Sequence, residues 1–390
     1  MPILIIWWLL ILYWLIAVYS VSIFESFQLS LKLVAKWNLT QPTNYFYFVR
    51  HIYNLAIALG FAWIVYKIPL SYIKKYRNLI FVGALILQLL VFTAVGTTFQ
   101  GSRGWLYLPA LGTLQPVEFF KLAWVLFLSW WLIKKKNFLW TIDGLILFYM
   151  LLGIFGFIYL LLPDLGALLI IILVSLILFR YAGGSFRQMI ISLLILGSLG
   201  ILIGTRFGYI QQRFGYFLNP QVDEAGRWVW WQIEQWITAI WAWWIFGRGY
   251  GKGLQKFGYI PEAQSDFIFS AFAEEVWFLW NLVLLGLYLS LARVSLSRLK
   301  YVKDEYWRNV VVGIVALILV QAWVNMAVNV KLLPVTGLTL PFVSYGGSSL
   351  LVSLIEIVLL YKILYQYVEV GKKSSNKFTN LRFSSKSILS

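Results

Sequence analysis

No cysteine occurs in the 390 residues, and histidine occurs once, as His51. Those absences exclude disulfides, thiol nucleophiles, iron–sulfur clusters and zinc sites built on Cys and His, and they disfavour a Ser-His-Asp triad. Charge is scarce as well, at 12% of residues, and acids are outnumbered by bases, 15 to 32. Acid–base chemistry must therefore rest on Asp, Glu, Lys, Arg or Tyr. No polar stretch is long enough for an independent soluble domain. What fills the chain instead is apolar: 61% hydrophobic residues and a mean hydropathy of +0.80, the composition of an all-α, polytopic membrane protein.

About ten segments have the roughly 17–25 residues needed to cross a bilayer. They are expected at 3–24, 45–66, 78–97, 117–133, 144–162, 165–180, 188–204, 267–292, 309–330 and 347–367. The first has no A-x-A cleavage pattern and is expected to be a retained span. The fifth and sixth are separated only by Pro163-Asp164-Leu165-Gly166, with Asp164 placed as an N-cap. Residues 1–370 are read as one transmembrane domain carrying a long outer loop at about 205–266. The basic, polar tail 371–390 is expected to be disordered.

The net charge of +17 would point to nucleic acid in a soluble protein. Here the basic residues flank apolar spans, so anionic lipid headgroups are the expected partner and nucleic acid is not. With the N-terminus placed in the cytoplasm, inner segments collect Lys67, Lys74, Lys75 and Arg77, Lys134 to Lys136, and Arg293 to Arg308. The bias sets both termini inside. The long outer loop breaks the pattern with Arg206, Arg213, Arg227, Arg248, Lys252 and Lys256, an excess that asks for a local cause.

This orientation gathers Arg103, Glu118, Lys121, Asp164, Glu262, Asp266, Glu274 and Glu275 on the outer side. With them goes Pro334 to Ser349, PVTGLTLPFVSYGGSS, uncharged and broken by proline and glycine. Irregular backbone at membrane depth cannot face lipid and must line a cavity or the water boundary. Intramembrane ionisable residues are costly and pair with one another or face such a cavity. A carboxylate there can serve as a general base, while nearby Arg and Lys suit an anionic leaving group. Plainer readings stand beside these. Asp266 sits where a helix N-cap belongs, and Glu118 and Lys121 could be a structural i,i+3 pair. Arg103 could be an interfacial anchor, His51 a headgroup-level residue, and SYGGSS a close-packing surface.

LPVTGLTLPFVSYGGSSL (333–350), QPVEFFKLA (115–123), PDLG (163–166), FLNP followed by Asp223, and YIPEAQSDFIF with AEE together resemble the signature of the SEDS family. That family comprises the FtsW, RodA and SpoVE proteins, and the likeness runs from Val18-Tyr19-Ser20 to the last span. It implies a peptidoglycan glycosyltransferase that polymerises lipid II at the outer face of the plasma membrane, releasing undecaprenyl pyrophosphate. It also implies a class B penicillin-binding transpeptidase and other divisome or elongasome membrane proteins as partners. By resemblance Asp266 is the catalytic carboxylate. Arg103, Glu118, Lys121, Glu262, Ser265, Thr336, Ser344, Tyr345, Gly346, Gly347 and Ser348 are the substrate-binding candidates, with Arg103 and Lys121 on the pyrophosphate. PEAQSDF leans toward the FtsW-like, division branch. A divalent cation bridging pyrophosphate and carboxylates is compatible with this chemistry, although the sequence has no metal-ligand spacing.

The chain departs from the family pattern in places. Gln264-Ser265-Asp266 stands where His-Thr-Asp is common, Ala167 follows PDLG in place of threonine, and Lys331 occupies a position usually small. Trp241, Trp243, Trp244, Trp277 and Trp280 stand at family glycines, and overpacking at such sites costs roughly 1–3 kcal/mol each. So coherent a set points to a gene that reads UGA as glycine; UGG codons at those positions would refute it. Two other classes of function remain open at this level: a lipid II flippase or other lipid transporter, which should show inverted repeats and midplane charge, and a non-catalytic divisome scaffold. Glu356, inside the last span, is the chief midplane charge.

Overall fold

The computed structural model describes residues 2–36, 41–99, 102–108, 112–138, 141–162, 164–204, 206–218, 247–260, 262–276 and 278–365. Trp241, Trp243, Trp244, Trp277, Asp223 and the tail 371–390 lie outside these residues. The described chain is a helical bundle with a small sheet at one end. Its helices are α1 (Pro2–Val21), α2 (Ile23–Ala35), α3 (Phe46–Lys67), α4 (Leu70–Leu89), α5 (Pro116–Lys134), α6 (Ile142–Leu161), α7 (Leu165–Tyr181) and α8 (Phe186–Gly204). They continue with α9 (Gly208–Leu218), α10 (Ile268–Glu275), α11 (Phe278–Ser297), α12 (Glu305–Asn329) and α13 (Gly347–Tyr365). Eight helical segments among the described residues are long and apolar enough to cross a membrane, and α7 and α8 are shorter apolar helices. The chain is membrane-embedded.

Three expected spans shift or break. The third starts at Leu70, right after Pro69, instead of at 78, and ends in a 3₁₀ turn at Leu90–Phe92. Lys74, Lys75 and Arg77 therefore ride in its first turns, where long basic side chains reach out of the hydrocarbon. The eighth expected span (267–292) is two helices. Val276 is extended (ψ 154) and separates α10 from α11. The ninth starts earlier, at Glu305, because the Asp304 side chain caps it by accepting from Tyr306 N–H.

The small sheet and the helices α2 and α9 have no counterpart among the expected spans. Strands β1 (Gly96–Phe99), β2 (Ser102–Leu108) and β3 (Gly112–Leu114) form an antiparallel sheet in the order β1-β2-β3. Helix α2 is amphipathic. Its buried Ser26 and Ser30 bond to Tyr47 N–H and to the Thr43 backbone, which docks it on the start of α3.

The core forms around α12, which packs on α5, α7, α10 and α11. Lys74 pairs with Asp304 at 2.5 Å and Lys136 with Glu305 at 3.1 Å, while Lys362 donates to the Val65 and Ile68 carbonyls. These contacts bring the basic termini of α3, α4, α5 and α13 to the end of the bundle where α12 begins. The irregular segment Pro334 to Ser349 lies at the other end.

Trp280 on α11 is half-exposed along a spanning segment. With half its surface open, the ring is not enclosed in the core, so overpacking does not arise at this position.

Candidate functional site

A cavity of about 620 Å³ opens at the end opposite the basic termini. Its wall draws on the starts of α3, α5, α7 and α13, on α9, and on the segments 262–266 and 336–349. These stretches are far apart in sequence, and hydrogen bonds stitch the two irregular ones together. Ser344 Oγ donates to Ser265 O at 2.5 Å and accepts from Leu340 N–H at 2.7 Å. Tyr345 N–H donates to Gln264 O at 2.8 Å. Ser348 Oγ accepts from Gln115 N–H at 2.9 Å, and Thr339 Oγ1 donates to Ser349 Oγ at 2.8 Å. The hydroxyls of PVTGLTLPFVSYGGSS thus supply partners for backbone groups that this irregular segment leaves outside regular helix or sheet. Gly166 of PDLG lets the loop close: a Cβ there would lie 2.7 Å from Leu338 Cγ.

Asp266 lines this cavity, half-buried, beside Gly337. It is not a helix cap, since the residue before α10 is Phe267 and no side chain caps that helix. Burial pushes its carboxyl up to about 7, with Glu262 and Asp164 adding to the rise and Arg213 opposing it. Asp164 caps α7 as expected, accepting from Ala167 N–H at 2.9 Å. Burial raises its pKa too, against the pull of that N–H and of Lys121 and Arg213. Glu262 adopts a left-handed backbone (φ 54), and its carboxylate accepts from Ser265 Oγ at 2.8 Å.

The candidates divide into three groups. Asp266, Glu262, Ser265, Thr336, Tyr345, Gly346, Gly347 and Ser348 line the cavity. Ser344 is buried behind them and holds the loop. Arg103, Glu118 and Lys121 are not brought to the wall. Arg103 is exposed on β2 and donates to Thr93 O at 2.8 Å, fastening the sheet, while its neighbour Trp105 faces the cavity. Lys121 is sealed beneath the floor, 2.9 Å from Glu118 Oε1 and 2.6 Å from Gln321 Oε1. Gln321 Nε2 then reaches Thr339 O at 3.0 Å, so this buried pair touches the site only through other side chains.

The cations on the wall are Arg50 and Arg213, which the motifs did not single out. Arg213 Nη1 donates to Val335 O at 3.1 Å, tying α9 to the loop. The excess of basic residues in the long outer loop was its signal. Two others from that loop are consumed internally: Arg248 pairs with Glu274 at 3.0 Å and Lys256 with Glu275 at 2.6 Å. His51 is buried inside the protein, 4.0 Å from Trp14 and 4.8 Å from Tyr345 between ring centroids. Thr336 Oγ1 and Gln264 Oε1 are buried on the cavity wall with no hydrogen-bond partner among the described residues. Two open polar positions of this kind suit a polar, hydroxyl-rich ligand. Among the described residues, no group of three or more Asp, Glu or His has the arrangement that holds a metal ion.

Comparison with known proteins places this geometry. The profile of a family described as cell cycle protein, spanning FtsW, RodA and SpoVE, matches residues 2–368. A relative from Coxiella burnetii, named probable peptidoglycan glycosyltransferase FtsW, is 33% identical over 325 residues, 82% of this chain and 87% of the relative. One of the same name from Trichlorobacter lovleyi is 35% identical over 286 residues, 73% of this chain and 74% of its own length. Among solved structures, a chain from a peptidoglycan synthase complex that coordinates polymerization and crosslinking superposes with a TM-score of 0.70 at 24% identity, covering 92% of this chain and 98% of that one. Thermus thermophilus rod shape determining protein RodA gives a TM-score of 0.65 at 22% identity, covering 93% and 96%. The fold is theirs.

Proposed function

The chain belongs to the FtsW–RodA–SpoVE family of cell cycle proteins, and from that premise we propose how its cavity works. The protein is a peptidoglycan glycosyltransferase: it joins lipid II units into glycan strands and releases undecaprenyl pyrophosphate. The cavity faces the outer side of the plasma membrane. Both termini are cytoplasmic, because the end of the bundle opposite the cavity carries the basic clusters that the inner leaflet retains.

Asp266 is the general base. It takes the proton from the 4-hydroxyl of the acceptor's N-acetylglucosamine as that oxygen attacks the anomeric carbon of the growing chain. The bond from that carbon to the pyrophosphate breaks, and the electron pair leaves with the phosphate. A proton affinity near neutrality lets one carboxylate accept a proton and release it again. Arg50 of α3 and Arg213 of α9 neutralise the leaving pyrophosphate. Arg103 and the Glu118–Lys121 pair support the site from outside it, through the sheet and through Gln321. A membrane-anchored transpeptidase is the natural partner, since a polymerised strand must be crosslinked. The FtsW-like wording of residues 259–269 favours a role in division.

The observation that carries this reading is Asp266 itself, half-buried in a polar cavity with its carboxyl raised to about 7 and two arginines on the same wall. Polymerisation of purified lipid II by the full chain tests it. Asp266→Asn should lower the rate about 10³-fold or more while leaving the protein folded. Retention of polymerisation near the unsubstituted rate would remove the assignment.

A further inference from the structure

Helix α12 carries Gln321, Asn325 and Asn329 at four-residue intervals, so their side chains stack on one face. Buried amides in a membrane span are expensive unless they are satisfied. Two of these three are satisfied by the segment that holds Asp266. We propose that Asn325 and Asn329 are positioning residues that keep the Asp266 backbone outside α10 and so aim its carboxyl into the cavity; this rests on the reading of Asp266 as the base.

The geometry is that of a splice. In an uninterrupted helix Ser270 N–H would donate to Asp266 O. Here Ser270 N–H donates instead to Asn329 Oδ1 at 3.1 Å, joined by Ser270 Oγ at 2.8 Å. Asn329 Nδ2 completes the substitution by donating to Asp266 O at 3.0 Å. One carboxamide thus occupies both ends of a single opened helical bond. The next bond along, Ala271 N–H to Phe267 O at 3.0 Å, is regular. Helix α10 therefore begins at Ile268, two residues after Asp266, because α12 takes over the carbonyl that would have drawn Asp266 in.

Asn325 fixes the other side. Its Nδ2 donates to Asp266 O at 2.9 Å and to Leu338 O at 2.6 Å. One amide nitrogen so joins the carboxylate segment to the irregular loop, next to Gly337, where an added Cβ would sit 3.7 Å from Asp266 Oδ2. Both asparagines are sealed, at 2% and 0% exposure. Neither is among the residues lining the cavity, so each acts on the reaction only through Asp266 and the loop.

Steady-state polymerisation by the full chain in lipid vesicles tests this, with Asp266→Asn as the reference and thermal unfolding measured on every variant. Asn325→Leu and Asn329→Leu keep the side-chain volume and delete the polar atoms. Each should lower kcat about 10- to 100-fold with KM changed less than about twofold, and with a displaced acid limb of the pH–rate profile. A variant with unaltered kcat and pH limb overturns the proposal, as does a kcat loss that matches the loss of folded protein. Asn329→Asp serves if the leucine variants do not fold. Aspartate accepts from Ser270 in either protonation state but donates to Asp266 O only when protonated, so its kcat relative to the unsubstituted enzyme should rise as pH falls. A ratio independent of pH overturns the proposal. Should Asp266→Asn itself remain active, the general-base reading fails; normal activity of the asparagine variants beside an inactive Asp266→Asn defeats only the positioning role.

Discussion

Lys256 and Glu275 meet at 2.6 Å with both side chains sealed from solvent. Lys256 Nζ also donates to Ser20 O and Gly251 O, each at 3.1 Å, and Ser20 Oγ donates to the same carboxylate. Beside them Glu274 accepts from Leu254 N–H at 3.1 Å and Gln255 N–H at 2.9 Å. Two acids at the end of α10 thus fasten the glycine-rich stretch 247–260 to α1. The break at Val276 makes this feasible by ending α10 where its carboxylates can turn to the loop.

Breaking that pair leaves a buried charge without its partner. Lys256→Met should destabilise the protein by about 3–5 kcal/mol. Adding Glu275→Gln in the same chain should recover part of the loss. Thermal unfolding in detergent, with limited proteolysis at 247–260, measures both. Equal stability of Lys256→Met and the unsubstituted protein would mean that the pair is not what holds the loop.

Polymerisation should rise with pH through about 7, because Asp266 must be ionised to accept a proton and its carboxyl is raised to about 7. Stability should run the other way. A carboxyl that binds its proton more tightly folded than unfolded favours the native state at low pH. That contribution is lost as pH rises from about 4 to about 7. Asp266→Asn cannot ionise, so it should melt higher than the parent at pH 8, with the difference shrinking toward pH 5. Identical melting curves at both pH values would contradict the buried placement of Asp266.

Arg50→Gln and Arg213→Gln should each raise KM for the lipid-linked substrate about tenfold, the loss of one charge-assisted contact worth about 1.5 kcal/mol or more. Inhibition by added pyrophosphate should weaken in parallel. Arg103→Gln should leave that inhibition unchanged, since Arg103 is bonded to Thr93 and not to the cavity. An Arg103 variant losing pyrophosphate inhibition while Arg50 and Arg213 variants keep it would reverse the assignment.

Lys331 sits at φ 60 just after α12, a left-handed conformation that glycine adopts without strain. Lys331→Gly should stabilise the protein by about 1 kcal/mol, read as a higher unfolding temperature with activity unchanged. A lower unfolding temperature would mean that the lysine side chain contributes more than the angle costs.

Much of the architecture was legible residue by residue. The apolar runs located most spans, Asp164 capped α7, and the irregular 334–349 segment turned out to line the cavity. The errors had local causes. The basic first turns of α4 disguised its start as a loop. The break at Val276 carries no proline or glycine to announce it. Arg103 and Lys121 were assigned to the pyrophosphate by family resemblance and by their charge, whereas in the fold Arg103 bonds to Thr93 and Lys121 to Glu118 and Gln321. Arg213 was visible only as part of an unexplained surplus of positive charge.

Membrane insertion and family were set by the sequence alone. They depend on stretches of about twenty residues meeting hydrocarbon and on contiguous motifs. Tertiary structure decided which charges face the cavity and which are spent on one another. It also decided that two asparagines of α12 hold Asp266 outside its neighbouring helix. Those outcomes depend on side chains separated by tens to hundreds of positions competing for the same buried partners, and only packing settles that competition.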